Sequence, residues 1–158
     1  MARKPEVSAG LLVFRRNKAG PEVLLAHPGG PFWAAKDLGA WTIPKGLAAD
    51  DSDLLDTAQR EFNEETGFVA QGPFIALAPV KQSSGKTVHA WACAGDFDPA
   101  TMSSNSFELE WPPKSGRRQH FPEIDRVAWF GFATALKKIL TYQRPLLLEL
   151  RRLLANSE

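Results

Sequence analysis

The chain has 158 residues, 44% of them hydrophobic, which is enough to build the core of one domain spanning 1–158. Nineteen basic residues against eighteen acidic ones leave a net charge of +1. That balance excludes a global basic field for nucleic acid or an anionic membrane, so recognition of a polyphosphate has to be local. No apolar run approaches the roughly 20 residues that span a bilayer. The single cysteine, Cys93, cannot form an internal disulfide, and MARKPEVSAGLLVF lacks a secretory pattern, so a soluble cytoplasmic protein is expected.

Residues 7 to 16, VSAGLLVFRR, and 22 to 27, EVLLAH, read as two strands joined by the turn NKAGP. Residues 28 to 40, PGGPFWAAKDLGA, form a long Gly- and Pro-rich loop, of the kind that carries function in small domains. WTIP predicts a short strand ending at Pro44, and KGLAAD a loop into a helix that starts near Ser52 or Asp53. Either side chain can accept a hydrogen bond from the free N–H groups of the first turn. Leu54, Leu55, Ala58 and Phe62 follow helical spacing and define one buried face, and Gly67 stands where a helix ends left-handed. Strands are predicted at 74–82, 87–95, 106–111 and 126–130. The tail, FATALKKIL and QRPLLLELRRLLA, reads as helical, with Pro145 in the first turn of the last helix. Strands, helix, strands and helix follow without a regular repeat. That order predicts a mixed α/β (α+β) layer structure rather than a doubly wound parallel sheet.

The helix carries REFNEETG, with Glu61, Glu64 and Glu65 related by i, i+3 and i+4 and so projecting from one side. Like charges at that spacing cost an exposed helix about 0.2–0.5 kcal/mol per pair. Water tolerates such a cost, so a solvated acidic face is one reading. A hard divalent cation, Mg²⁺ or Mn²⁺, is the other, because the donors are all oxygens and the chain is poor in Cys and His.

Around the glutamates, Gly46, Arg60, Glu61, Glu64, Glu65 and Gly67 stand in a fixed frame, with Phe62 and Phe68 at the apolar places. This frame resembles the Nudix box: Gly, five residues, Glu, seven residues, then Arg-Glu-apolar-any-Glu-Glu-any-Gly-apolar. At ordinary residue frequencies six such positions coincide by chance about once in ten million starts. One position departs. Ser52, flanked by Asp50, Asp51 and Asp53, stands where the family carries its first glutamate, which in the family braces loop against helix. A helix cap by Ser52 is the simplest compensation, with Asp53 the alternative. SAGLLVFRR, WTIPKG and FPEIDRVAWF also resemble the flanks of MutT-like and diadenosine-polyphosphate-cleaving members.

The resemblance implies the Nudix fold, a mixed sheet sandwiched between helices with the box as loop–helix–loop. It also implies metal-dependent hydrolysis of a nucleoside diphosphate linked to another group. By the same resemblance Glu64 and Glu65 are metal ligands together with the Gly46 carbonyl, and Glu61 is a ligand or the base that orients water. Arg60 would pair with a carboxylate and fix its rotamer, and Lys45 is a candidate phosphate contact. Glu123, in PEIDRVAW, stands where many members supply a further glutamate as ligand or base.

Trp33, Trp41, Trp91 and Trp111 either stack on a base or anchor core and loops. WPPKSGRRQH gathers Lys114, Arg117, Arg118 and His120 in a loop, and KQSSGKTVH adds Lys81 and Lys86. These are contacts for a polyphosphate arm or ordinary basic loops. The expected reaction is asymmetrical cleavage of diadenosine tetraphosphate to ATP and AMP, by a monomer or homodimer that binds small molecules rather than nucleic acid or membrane. The only tyrosine is Tyr142, so no tyrosine follows the box as it does in many such enzymes. That keeps nucleoside triphosphates, diphosphoinositol polyphosphates and a non-catalytic nucleotide-sensing module open.

Overall fold

Side-chain alternation along β1 (Val7–Asn17) sets the architecture, because Leu12 points to one side of the strand and Leu11 and Val13 to the other, all fully buried. A strand covered on both faces has to lie inside a sheet with a layer above and a layer below. The computed structural model describes residues 5–50 and 52–157. Residues 1–4 of the N-terminal stretch, Glu158, and Asp51 among the aspartates beside Ser52 lie outside the described residues.

β2 (Gly20–Pro28) returns antiparallel to β1 through the expected turn, and β9 (Ile124–Gly131) pairs antiparallel with β2. On its other edge β1 pairs parallel with β6 (Thr87–Ala94), from Val7 opposite Thr87 to Phe14 opposite Ala94. β3 (Lys45–Leu47) lies antiparallel to the start of β1, with Gly46 opposite Ala9. The sheet is therefore mixed, as expected.

Two predicted strands are shorter than the sequence suggests. The 74–82 stretch yields only β4 (Ile75–Ala76) and β5 (Val80–Lys81), both antiparallel to β6. Pro79 has no N–H to offer the ladder, and the Ala78 N–H turns away to Glu149 Oε1 at 2.8 Å. WTIP enters the sheet as a wedge between β1 and β2. Thr42 exchanges both main-chain bonds with Ala26, and the Pro44 carbonyl accepts from Leu11.

The helix α1 (Leu54–Thr66) lays Ala58 and Phe62 on Leu11, Val13 and Leu24. Full burial of a side chain like Phe62 contributes about 1.5–3 kcal/mol. α2 (Phe132–Lys138) and α3 (Arg144–Asn156) cover the opposite face with Ala135, Leu146, Leu147 and Leu150. Pro145 sits in the first turn of α3 as predicted, where a missing N–H costs nothing.

A separate hairpin, β7 (Ser106–Glu110) with β8 (Arg118–Pro122), leaves the sheet. Arg118 and His120 therefore lie in a strand rather than in the expected loop. The reason is register: Phe107 meets Phe121, and Arg118 forms an ion pair with Glu108.

Candidate active site

α1 is fixed at both ends. Asp53 is its N-cap, accepting from the Asp56 N–H at 3.0 Å. Ser52 is not; its hydroxyl donates to the Ala49 carbonyl at 2.6 Å and closes the loop upstream. Asp53 wins because it is the residue immediately before the first helical turn, where a side-chain oxygen can face the free N–H groups. At the other end Gly67 takes φ 78°, and its N–H reaches Asn63 O at 2.7 Å. Below the helix end Phe62 and Phe68 pack with Phe97, so both apolar places of the sequence frame are core.

Glu61 and Glu65 meet β3, and Glu64 stands beside them on the same side of the helix. Glu65 Oε2 accepts from the Lys45 N–H at 2.8 Å. The Glu61 carboxylate lies against Gly46 so closely that a Cβ there would sit 2.1 Å from Glu61 Oε2. Arg60 Nη1 lies 3.2 Å from Glu61 Oε1 and 3.2 Å from Glu64 Oε1, so it bridges two carboxylates where the sequence suggested a pair with one. Loop and helix are thus joined through carboxylates, with Gly46 needed for the close approach.

Main-chain bonds bring the fourth carboxylate. The carbonyl of Glu64, left free near the helix end, accepts from Asn105 N at 2.8 Å, and the Asn105 carbonyl accepts from Glu123 N at 2.8 Å. Glu123 consequently lines the same cavity of about 380 Å³ as Glu61, Glu64, Glu65, Lys45 and Gly46. Asn105 lines it too. No motif marks Asn105 in the sequence, because its place is decided by main-chain bonds between segments far apart in the chain.

The cavity is electrostatically tense. Burial, then the charges of Glu61 and Glu123, push the Glu65 carboxyl up to about 8 against the opposing Lys45 N–H. Burial and the neighbouring Glu64 charge also raise Glu61, with Arg60 opposing. Burial lowers the Lys45 ammonium, and Glu65 pulls the other way. Among the described residues no three acidic, histidine or cysteine groups close into a preformed coordination cluster. Glu61 and Glu64 are held on Arg60 and Glu65 on the Lys45 main chain.

The other predicted contacts do not line this cavity, although the Lys86 charge reaches Lys45 and helps to lower its ammonium. Lys81 is exposed on β5, Lys86 pairs with Glu6 at 3.3 Å, and Arg117 lies at the exposed tip of the β7–β8 hairpin. Trp41 is a core anchor, 3% exposed, donating to Asp37 Oδ1 at 2.8 Å. Trp91 packs on the core under α1. Trp33 and Trp111 remain on the surface side, with Trp111 edge-on to Phe32 at 5.3 Å. Sequence reading passed over His27, which is fully buried and ties the 28–40 loop down: Nε2 donates to the Lys36 carbonyl at 2.6 Å, and Nδ1 lies 2.9 Å from Asp125 Oδ1.

Residues 4–150 match the family model described as the NUDIX domain. Nudix hydrolase 7 of Arabidopsis thaliana is 29% identical over 115 residues, 68% of this chain and 39% of that protein, so the chain spans well under half of that relative. Among solved structures, a C. elegans Ap4A hydrolase binary complex aligns with a TM-score of 0.66 at 21% identity, covering 96% of this chain and 98% of that one. The NUDIX domain of Shewanella oneidensis NrtR complexed with ADP ribose aligns at 0.64 and 17% identity, covering 96% and 88%. At these identities the structural likeness speaks for the fold.

Proposed function

The chain belongs to the Nudix hydrolase family, and we propose that it is a metal-dependent pyrophosphohydrolase acting on a nucleoside diphosphate linked to another group. One observation carries the reading: Glu61, Glu64, Glu65 and Glu123 wall a single cavity with Lys45 beside them. The donor set fits a hard cation, since it offers only oxygens, and a bound cation would supply the compensating charge that burial denies the Glu65 carboxylate. Glu61, Glu64 and Glu65, with the Gly46 carbonyl, would hold Mg²⁺ or Mn²⁺. Such an ion, when bound, neutralises phosphate oxygens and acidifies a water.

The chain's own groups do the rest. Arg60 restricts the rotamers of Glu61 and Glu64, which line the cavity, and the Lys45 N–H fixes Glu65. Glu123, which lines the same cavity from outside the helix, orients the attacking water and takes its proton. The Lys45 ammonium contacts the phosphate that gains charge. Lys81, Lys86 and Arg117 lie outside the cavity and serve a longer polyphosphate only beyond the cleaved bond.

As substrate we propose diadenosine tetraphosphate, cleaved to ATP and AMP. The segments SAGLLVFRR, WTIPKG and FPEIDRVAWF, which resemble the flanks of diadenosine-polyphosphate-cleaving members, support that choice. The test is product identification from diadenosine tetraphosphate, ATP, dGTP, ADP-ribose and a diphosphoinositol phosphate, each with and without Mg²⁺. ATP plus AMP from the first compound, only with metal and at the highest efficiency, is expected. Better turnover of another compound discards the substrate, and silence across the panel discards the reaction. Glu64→Gln keeps the fold by circular dichroism and loses most turnover; wild-type activity in that variant contradicts the site.

A further inference from the structure

β9 carries one residue more than its partner strand just after the chain leaves the acidic cavity. Its pairing with β2 keeps one register from Gly131 opposite Glu22 to Arg126 opposite His27; Ile124 then stands opposite Pro28, and Asp125 has no ladder partner. This is a β-bulge, which bends a strand and re-aims its side chains. Its effect shows in the core. Ile124 and Val127 are three apart, 3% and 4% exposed, and pack in the same cluster under α1, whereas a regular strand would send them to opposite faces. The direction in which the chain reaches Glu123 is therefore set at the bulge.

The segment 27–29 grips this bulge through two links. His27 is fully buried, and its Nδ1 lies 2.9 and 3.1 Å from the two Asp125 carboxylate oxygens. The Gly29 N–H donates to the Glu123 carbonyl at 2.9 Å. That approach needs glycine, since a Cβ on Gly29 would fall 1.9 Å from the Pro122 carbonyl oxygen. Arg126 is the other cation near Asp125, but it stays 3.8 Å from Oδ1 and lies over the Trp41 ring, so His27 is the hydrogen-bonded partner. The second ring nitrogen, Nε2, is taken by the Lys36 carbonyl at 2.6 Å. No ring nitrogen is left for water or a phosphate, so His27 acts on the site only through what it holds.

Resting on the reading of Glu123 as the base, we infer that His27 and Asp125 are positioning residues for the hydrolysis: their contact holds the bulge and thereby fixes where the Glu123 carboxylate stands in the cavity. The same imidazole ties down the 28–40 loop, so loop and base keep one geometry. A loosened bulge leaves the cation ligands on α1 in place and misplaces only the base, which costs turnover rather than substrate binding.

The experiment cuts the link at Asp125, whose side chain is 28% exposed, because replacing the fully buried His27 opens a cavity. Asp125→Ala, Asp125→Asn and Glu123→Gln are compared with wild type on the best substrate of the panel at saturating Mg²⁺, and amide hydrogen exchange is followed by NMR without substrate. Asp125→Ala is expected to lower kcat about 30-fold with KM within about twofold, and to speed exchange at Gly29 and Glu123 at least about tenfold while the α1 amides stay as in wild type. Asp125→Asn recovers kcat to within about threefold of wild type, because its amide bonds to Nδ1 with its oxygen or its NH₂ in either ring tautomer. In the Glu123→Gln background Asp125→Ala costs less than about twofold further, since its effect runs through Glu123. A full further loss in that background, a loss confined to KM, or Asp125→Asn as poor as Asp125→Ala overturns the proposal. Unchanged exchange in Asp125→Ala beside normal wild-type turnover sinks the link and keeps the reaction. A wild type that turns over no compound sinks the reaction and with it the positioning role, while faster exchange in Asp125→Ala still establishes the link.

Discussion

Replacing Glu65 by Gln stabilises the metal-free protein at alkaline pH and leaves it nearly unchanged at acidic pH. Glu65 is held up to about 8 against an ordinary 4.5, because burial leaves its charge poorly solvated beside Glu61 and Glu123. A carboxyl whose folded value exceeds its unfolded value binds more protons when folded, so stability falls as pH rises from one value to the other. Below about 4.5 the group is neutral in both states and costs nothing. Above about 8 it is ionised in both and the full cost applies. At about 1.36 kcal/mol per pH unit the ceiling is roughly 5 kcal/mol. Solvent entering the cavity reduces the gain from Glu65→Gln to about 1–3 kcal/mol at pH 9, and to under about 0.7 kcal/mol at pH 5. Gln keeps an oxygen for the Lys45 N–H and removes only the charge. Urea unfolding of both proteins in EDTA at pH 5 and pH 9 measures the difference. A gain that is the same at both values, or a loss at pH 9, refutes the reasoning. The same variant is expected to lose most metal-dependent turnover, so stability and activity move in opposite directions.

Gly46→Ala places a methyl group 2.1 Å from the Glu61 carboxylate, whose flexible end can swing away. Stability should fall by less than about 1 kcal/mol while turnover drops about 100-fold, read from thermal melts and initial rates. Asp53→Ala should cost about 1 kcal/mol as the loss of a helix cap and Ser52→Ala less than about 0.5 kcal/mol; equal costs in denaturant titrations would return Ser52 to the capping role. Gln143 is fully buried, its Oε1 accepting from Ile43 N at 3.0 Å and its Nε2 donating to Thr42 Oγ1 at 2.9 Å. Gln143→Leu leaves the Ile43 N–H unpaired, while the Thr42 hydroxyl keeps its bond to the Ile43 carbonyl. A loss of about 1–3 kcal/mol is expected, with a melting temperature lower by about 5 °C, and an unchanged melt refutes it.

What the sequence determined by itself was local. The helix and its acidic face follow from 3.6-residue periodicity, so Leu54, Ala58 and Phe62 against Glu61, Glu64 and Glu65 were legible without coordinates. Gly67 as the helix stop and Pro145 at a helix start follow from single-residue conformational limits. The register of Gly46 and Arg60 with the glutamates identified the family for the same reason. The tertiary structure decided whatever depends on contacts between distant segments. Whether Glu123 reaches the glutamates turned on two main-chain bonds through Asn105, and neither leaves a periodic trace. The loop at 28–40 showed its glycines but not that they admit Pro122 and Phe107 within contact distance. Ser52 and Asp53 were equivalent as letters, and the direction of each oxygen separated them. Trp41 and Trp33 read alike until packing buried one and left the other at the edge of a cleft, because burial is set by what the rest of the chain places around a side chain.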